Sequence, residues 1–241
     1  MVVAAPDGTR RALDGKVALP ETTPMALFQL DPQSIAARVH AAGRPSRPPT
    51  LGESIVRGII GFAAVSVASF APWPFLDRWI PRAGEVGLYV TCTTVFIGLS
   101  GPFLHRLIIG PGSLSRFYKL FTPAFVAYAV LWVVFWMRLR GDAGSLCGLL
   151  AGTAAMGAIF ACAFDAQKAA AKVIAALFVL NTLGYYAGGV IEGKLIIEHR
   201  LLAMLSWGAC YGVGFGAGLG VAFYLCQTEA RAATSANASA A

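Results

Sequence analysis

Residues 206–227, SWGACYGVGFGAGLGVAFYLCQ, form a charge-free run long enough to cross a bilayer as a helix. Gly208, Gly212, Gly216 and Gly220 recur every fourth residue, and Cys210, Gly214, Gly218 and Ala222 make a second small-residue row two positions out of phase. Each helical residue advances about 100°, so the two rows lie on nearly opposite faces. In water so many glycines would oppose a helix, since each costs about 1 kcal/mol relative to alanine. Lipid offers the backbone no water to bond to, so the segment stays helical, and small residues at four-residue steps let neighbouring helices approach closely. The run therefore predicts a central helix held between two neighbours. A flexible or pore-lining helix is the functional alternative.

Five more apolar runs, at 54–71, 85–104, 117–137, 145–164 and 173–191, complete a predicted six-span bundle over residues 51–228. With 57% hydrophobic and 13% charged residues, the chain does not suit one or two soluble domains. The expected fold is an all-α polytopic membrane protein, its glycine-rich C-terminal helix at the centre.

Each run carries its own signals. Thr50 caps the first, and Arg57 anchors it at the interface, within reach of Glu53. Trp73 and Trp79 follow at headgroup depth. Pro102 is expected to kink or end the second, with His105 at the interface and a Gly110-Pro111-Gly112 turn leading to Ser113 or Ser115 as the next cap. In the third, Phe117, Phe121, Phe125, Tyr128, Trp132 and Phe135 form an aromatic stripe that suits lipid contact, a glycine groove on another helix, or an apolar ligand pocket. Gly144, Gly148 and Gly152 make the fourth a natural partner for the last. The fifth holds Asn181 beside Thr182, which needs an interhelical hydrogen bond, together with a further glycine step, Gly184 to Gly188.

Residues 1–50 read as a disordered tail without the apolar core of a secretory signal, interrupted by a short surface helix at 31–42 that Asp31 caps, Pro32 starts and Gly43 ends. Residues 229–241 read as a second disordered tail. Ten Lys and Arg flank the spans on the side of the termini and six on the other, which puts both termini in the cytoplasm.

Catalytic chemistry is not legible. His40, His105 and His199 are scattered, and no HExxH, GxSxG or P-loop occurs. The five cysteines lie in apolar runs without metal-ligand spacing, so no metal, cofactor or catalytic residue is expected. The excess of 19 Lys and Arg over 12 Asp and Glu fits anionic lipid headgroups better than nucleic acid, because no basic stripe with aromatics accompanies it. Two functions suit such a chain. One is an accessory or scaffold subunit that meets a protein partner or a second copy of itself in the bilayer. The other is a passive channel or transporter for a small neutral solute, with its path between the fourth, fifth and sixth spans past Asn181 and Thr182.

Overall fold

The computed structural model describes residues 28–43, 48–71 and 84–239, all helix and connection with no strand among them. Trp73 and Trp79 lie outside the described residues. The helices are α1 (Pro32–Ala41), α2 (Leu51–Phe70), α3 (Gly84–Leu104), α4 (Ser113–Leu139), α5 (Gly141–Ala163), α6 (Ala170–Leu195), α7 (Arg200–Cys226) and α8 (Thr228–Ser239). Six of them, α2 to α7, are long and apolar enough to span a membrane, which makes the chain an all-α, multi-pass membrane protein. These helices outrun the apolar runs by up to about two turns, because polar residues at their ends continue the helix into the interface.

Local chemistry sets the ends. Thr50 and Glu53 close a reciprocal capping box on α2, each side chain bonding the other's backbone N–H. Pro102 does not break α3, which runs on to Leu104. Lacking an N–H, Pro102 frees the carbonyl four residues back. That carbonyl, of Gly98, accepts from the Tyr118 hydroxyl at 2.6 Å, and the bare face of Gly101 makes room for the Tyr118 ring. The turn into α4 is capped by neither serine: Gly112 occupies the cap in the left-handed region at φ +70°, and Ser113 instead bonds the His105 ring at 2.9 Å.

Helix α7 lies between α2 and α6. A Cβ on Gly212 would stand 2.6 Å from Ala63 Cα, one on Gly220 2.7 Å from Ile55 Cα, and one on Gly216 against the Gly58 carbonyl. Gly208 meets Phe70, so this whole row faces α2. The other row faces α6: a Cβ on Gly214 would be 2.7 Å from Gly184 Cα, Gly218 rests on Leu177, and Gly188 approaches the Trp207 carbonyl.

Helix α5 is not the neighbour of α7 that its glycines suggested. Gly144, Gly148 and Gly152 pack on Trp136, Trp132 and Tyr128 of α4, the helix joined to α5 by a tight turn, and the bulky rings fill the small-residue groove without leaving voids. The aromatic stripe of α4 is accordingly interior along most of its length. Phe117, Phe121 and Phe125 are buried and stack at 4.9 and 5.2 Å. Phe62 of α2 and Phe215 and Phe223 of α7 join them.

Both ends of the described chain fold against the bundle. Asp31 caps α1 by accepting from the Ser34 backbone at 2.9 Å. Burial pushes its carboxyl pKa up, but the hydrogen bonds from Ser34 and from the backbone of Asp31 and Gln33 together outweigh this and leave it below the usual value. Ile35 and Val39 are buried, and α1 packs on α8, where the sequence reading has a disordered tail. Helix α8 forms because its alanine-rich sequence favours helix, and Ala230 and Thr234 supply a buried face. Its Arg231 guanidinium sits 3.5 Å over the Tyr224 ring. Two polar side chains then tie down the connection between α3 and α4. Gln227, 2% exposed, accepts from the Ile109 N–H and donates to the Leu107 carbonyl, both at 2.8 Å. Arg116, 5% exposed, donates to the carbonyls of Ile109, Gly110 and Pro111.

Candidate functional site

Successive crossings alternate in direction, so α2, α4 and α6 end, and α3, α5 and α7 begin, at the membrane face opposite α1 and α8. Into that half of the bundle opens a cavity of about 420 Å³, within the range of small-molecule sites. Helix α4 supplies Phe125, Tyr128, Trp132 and Trp136 to its wall, at steps of three and four. Facing them are Tyr89, Cys92 and Phe96 of α3 and Phe70 of α2. Helix α6 contributes Tyr185 and Glu192, two turns apart, and α7 contributes Met204, Trp207 and Tyr211, again at helical spacing.

The walls hold one another in place through ring contacts. Trp132 lies 5.8 Å from Tyr89 and 6.2 Å from Tyr185. Tyr185 meets Trp207 edge to face at 5.5 Å, and Trp207 stacks on Tyr211 at 5.2 Å. Edge-to-face and offset geometries of this kind are the favoured ones for aromatic pairs. Toward α1 and α8 the cavity ends on Phe96, Phe125 and Tyr211, and beyond them the rings of Phe62, Phe215, Phe121 and Phe117 fill the core.

Polar groups converge at this floor. Asn181 is fully buried, and its Nδ2 donates to the Tyr128 hydroxyl at 3.0 Å. The hydroxyls of Tyr128 and Tyr211 lie 3.1 Å apart. Asn181 donates to Tyr128, and between the two hydroxyls either can be the donor. Higher up, Tyr185 and Ser145 of α5 share a hydrogen bond at 3.1 Å. The oxygens Asn181 Oδ1 and Thr182 Oγ1 are buried without a partner among the described residues.

Asn181 and Thr182 do not line this cavity. Nor does any described residue of α5, so the space lies among α2, α3, α4, α6 and α7 rather than among the fourth, fifth and sixth spans. Asn181 acts one shell behind the wall, by fixing Tyr128. Glycines of α5 and α6 likewise shape the site indirectly. Because Gly188 lets Trp207 approach α6 closely, and Gly148 and Gly152 do the same for Trp132 and Tyr128, the large rings sit close against their neighbouring helices in the walls of one space. Trp207, Tyr211, Tyr185 and Glu192 were not read as site residues from the sequence. Their signal is nonetheless there, in the four-residue step Trp207 to Tyr211 and the seven-residue step Tyr185 to Glu192, both at the same end of adjacent spans.

Among the described residues no three His, Cys, Asp or Glu side chains converge as a metal site. Comparison with protein-family models, with curated proteins and with solved structures finds no match to this chain.

Proposed function

We propose that this chain is a carrier-type membrane protein that takes a small, largely apolar solute into the aromatic cavity from the face opposite its termini. The single observation that supports this reading is the cavity itself, built from five helices, floored by tyrosine hydroxyls and closed beyond that floor by stacked phenylalanines. A cavity blocked at one end suits a binding state better than an open channel. In this reading the glycine-rich C-terminal helix is the organising element, with Gly208, Gly212, Gly216 and Gly220 on α2 and Gly214 and Gly218 on α6, together with Gly184 and Gly188. Backbone contact lets such helices slide or rock without repacking large side chains. Both termini are cytoplasmic by the distribution of Lys and Arg, so the cavity faces the other compartment.

The accessory-subunit reading has one observation in its favour. Gly189 and Gly193 of α6 form a further four-residue step with nothing within 4 Å of either, a surface suited to a helix of another subunit or a second copy. Purification in mild detergent together with stopped-flow uptake into proteoliposomes separates the two. A homogeneous chain that mediates saturable flux supports the carrier, whereas a stoichiometric protein partner and no flux supports the subunit.

A further inference from the structure

We infer that the ligand of the cavity is an organic cation, an alkylated ammonium carried on an apolar body. The inference rests on the solute-binding reading above and adds the sign of the charge. Among the described residues that line the cavity, Glu192 is the only one with a formal charge, and it is negative and half-buried. No Lys, Arg or His stands among them to neutralise it or to receive an anion.

The walls have matching electrostatics. Trp132, Tyr185, Trp207 and Tyr211 form a continuous run of rings with centroids 5.2 to 6.2 Å apart. An aromatic face carries negative quadrupole density and attracts a cation within about 6 Å of its centroid, most strongly for tryptophan. At the rim the chain already does this with its own side chain: the Arg140 guanidinium, which is not a lining residue, lies 5.8 Å over the Trp136 ring. A compact, strongly hydrated ammonium would lose too much solvation in such a space, and an anion would find hydroxyl and indole donors but no cationic side chain among the described lining residues, with the Glu192 carboxylate opposing it. An alkylated ammonium gives up little hydration, contacts several rings at once and leaves its charge within reach of Glu192.

The test uses the full chain in nanodiscs of zwitterionic lipid, with quenching of tryptophan emission as the readout. Two probes of nearly the same shape are compared, benzyltrimethylammonium and the neutral alcohol 2,2-dimethyl-3-phenylpropan-1-ol. The cation should bind saturably and about tenfold or more tighter than the alcohol. Glu192→Gln should remove most of that preference by weakening the cation alone, and Trp132→Leu should weaken both probes. If the alcohol binds as tightly as the cation in the unaltered chain, the cation inference is overturned while the solute-binding reading stands. If neither probe binds, both fall together.

Discussion

Replacing Gly212 by alanine isolates the close approach on which the bundle rests. The added Cβ would lie 2.6 Å from Ala63 Cα, 2.8 Å from Ser66 Cβ and 3.0 Å from the Phe62 carbonyl oxygen. Carbon atoms pack at about 3.5–4.0 Å, so α2 and α7 must separate by roughly 1 Å. A gap of that size forfeits about a quarter to a half of each affected dispersion contact, and overpacking of this kind costs typically about 1–3 kcal/mol. Opposing this, alanine recovers up to about 1 kcal/mol of helix propensity. The net expectation is a loss of about 1–2 kcal/mol, or several degrees of melting temperature at about 2–4 °C per kcal/mol for a chain of this size. Gly189→Ala is the control, because Gly189 is exposed with nothing within 4 Å. Only the propensity gain remains there, so the variant should match or exceed the unaltered chain. Thermal unfolding in one detergent, followed by tryptophan emission, measures both. If Gly212→Ala is as stable as Gly189→Ala, α2 and α7 are not in backbone contact.

Gln227→Leu should destabilise by on the order of 2–4 kcal/mol, since it orphans the buried Ile109 N–H and Leu107 carbonyl; unchanged hydrogen exchange at Ile109 would contradict the clamp. Asn181→Leu should change stability by only about 1 kcal/mol and weaken solute binding several-fold through the loosened Tyr128, so complete loss of binding with an intact fold would assign Asn181 a direct contact. Asp31→Ala should free α1 from α8 at a cost of about 1 kcal/mol. The same release should follow acidification: with its folded pKa below the ordinary 3.8, the Asp31 carboxylate stabilises α1 fully above that value and loses the effect as pH falls through the lower folded one. Limited proteolysis near residues 28–43 against pH reads this out, and release already at neutral pH would remove the cap from the account.

The six spans were legible because lipid imposes one simple rule: a charge-free run of about 20 residues must be helical. Within α7 a four-residue step fixes a face, so its glycines separate into two rows on nearly opposite sides. That α2 meets one face was not legible, because α2 lies far from α7 in sequence and its contacting residues, Ser54, Gly58, Phe62 and Ser66, mix sizes and give no clean small-residue row. Short loops suggested α5 and α6: α6 does lie against α7, whereas the glycines of α5 answer Trp136, Trp132 and Tyr128 of α4. The docking of α1 on α8 depends on Ile35, Val39 and Ala230, too few apolar residues to declare themselves in two polar tails. The cavity is the hardest feature to read from a sequence. Its walls are aromatic side chains of five helices at one depth, and each alone passes for an interfacial belt residue.

The most direct measurement is the accessibility of the cavity wall to a membrane-impermeant thiol reagent. In a chain whose native cysteines are replaced, Thr93→Cys and Ala129→Cys place single thiols in the lining, and Ser66→Cys places one in the buried α2 to α7 interface. In oriented proteoliposomes the first two should react when the reagent is added on the side opposite the termini, be protected by bound solute, and stay unmodified from the side of the termini, while position 66 reacts from neither. Modification of positions 93 and 129 from the side of the termini, or from neither side, would contradict a solute cavity at that face.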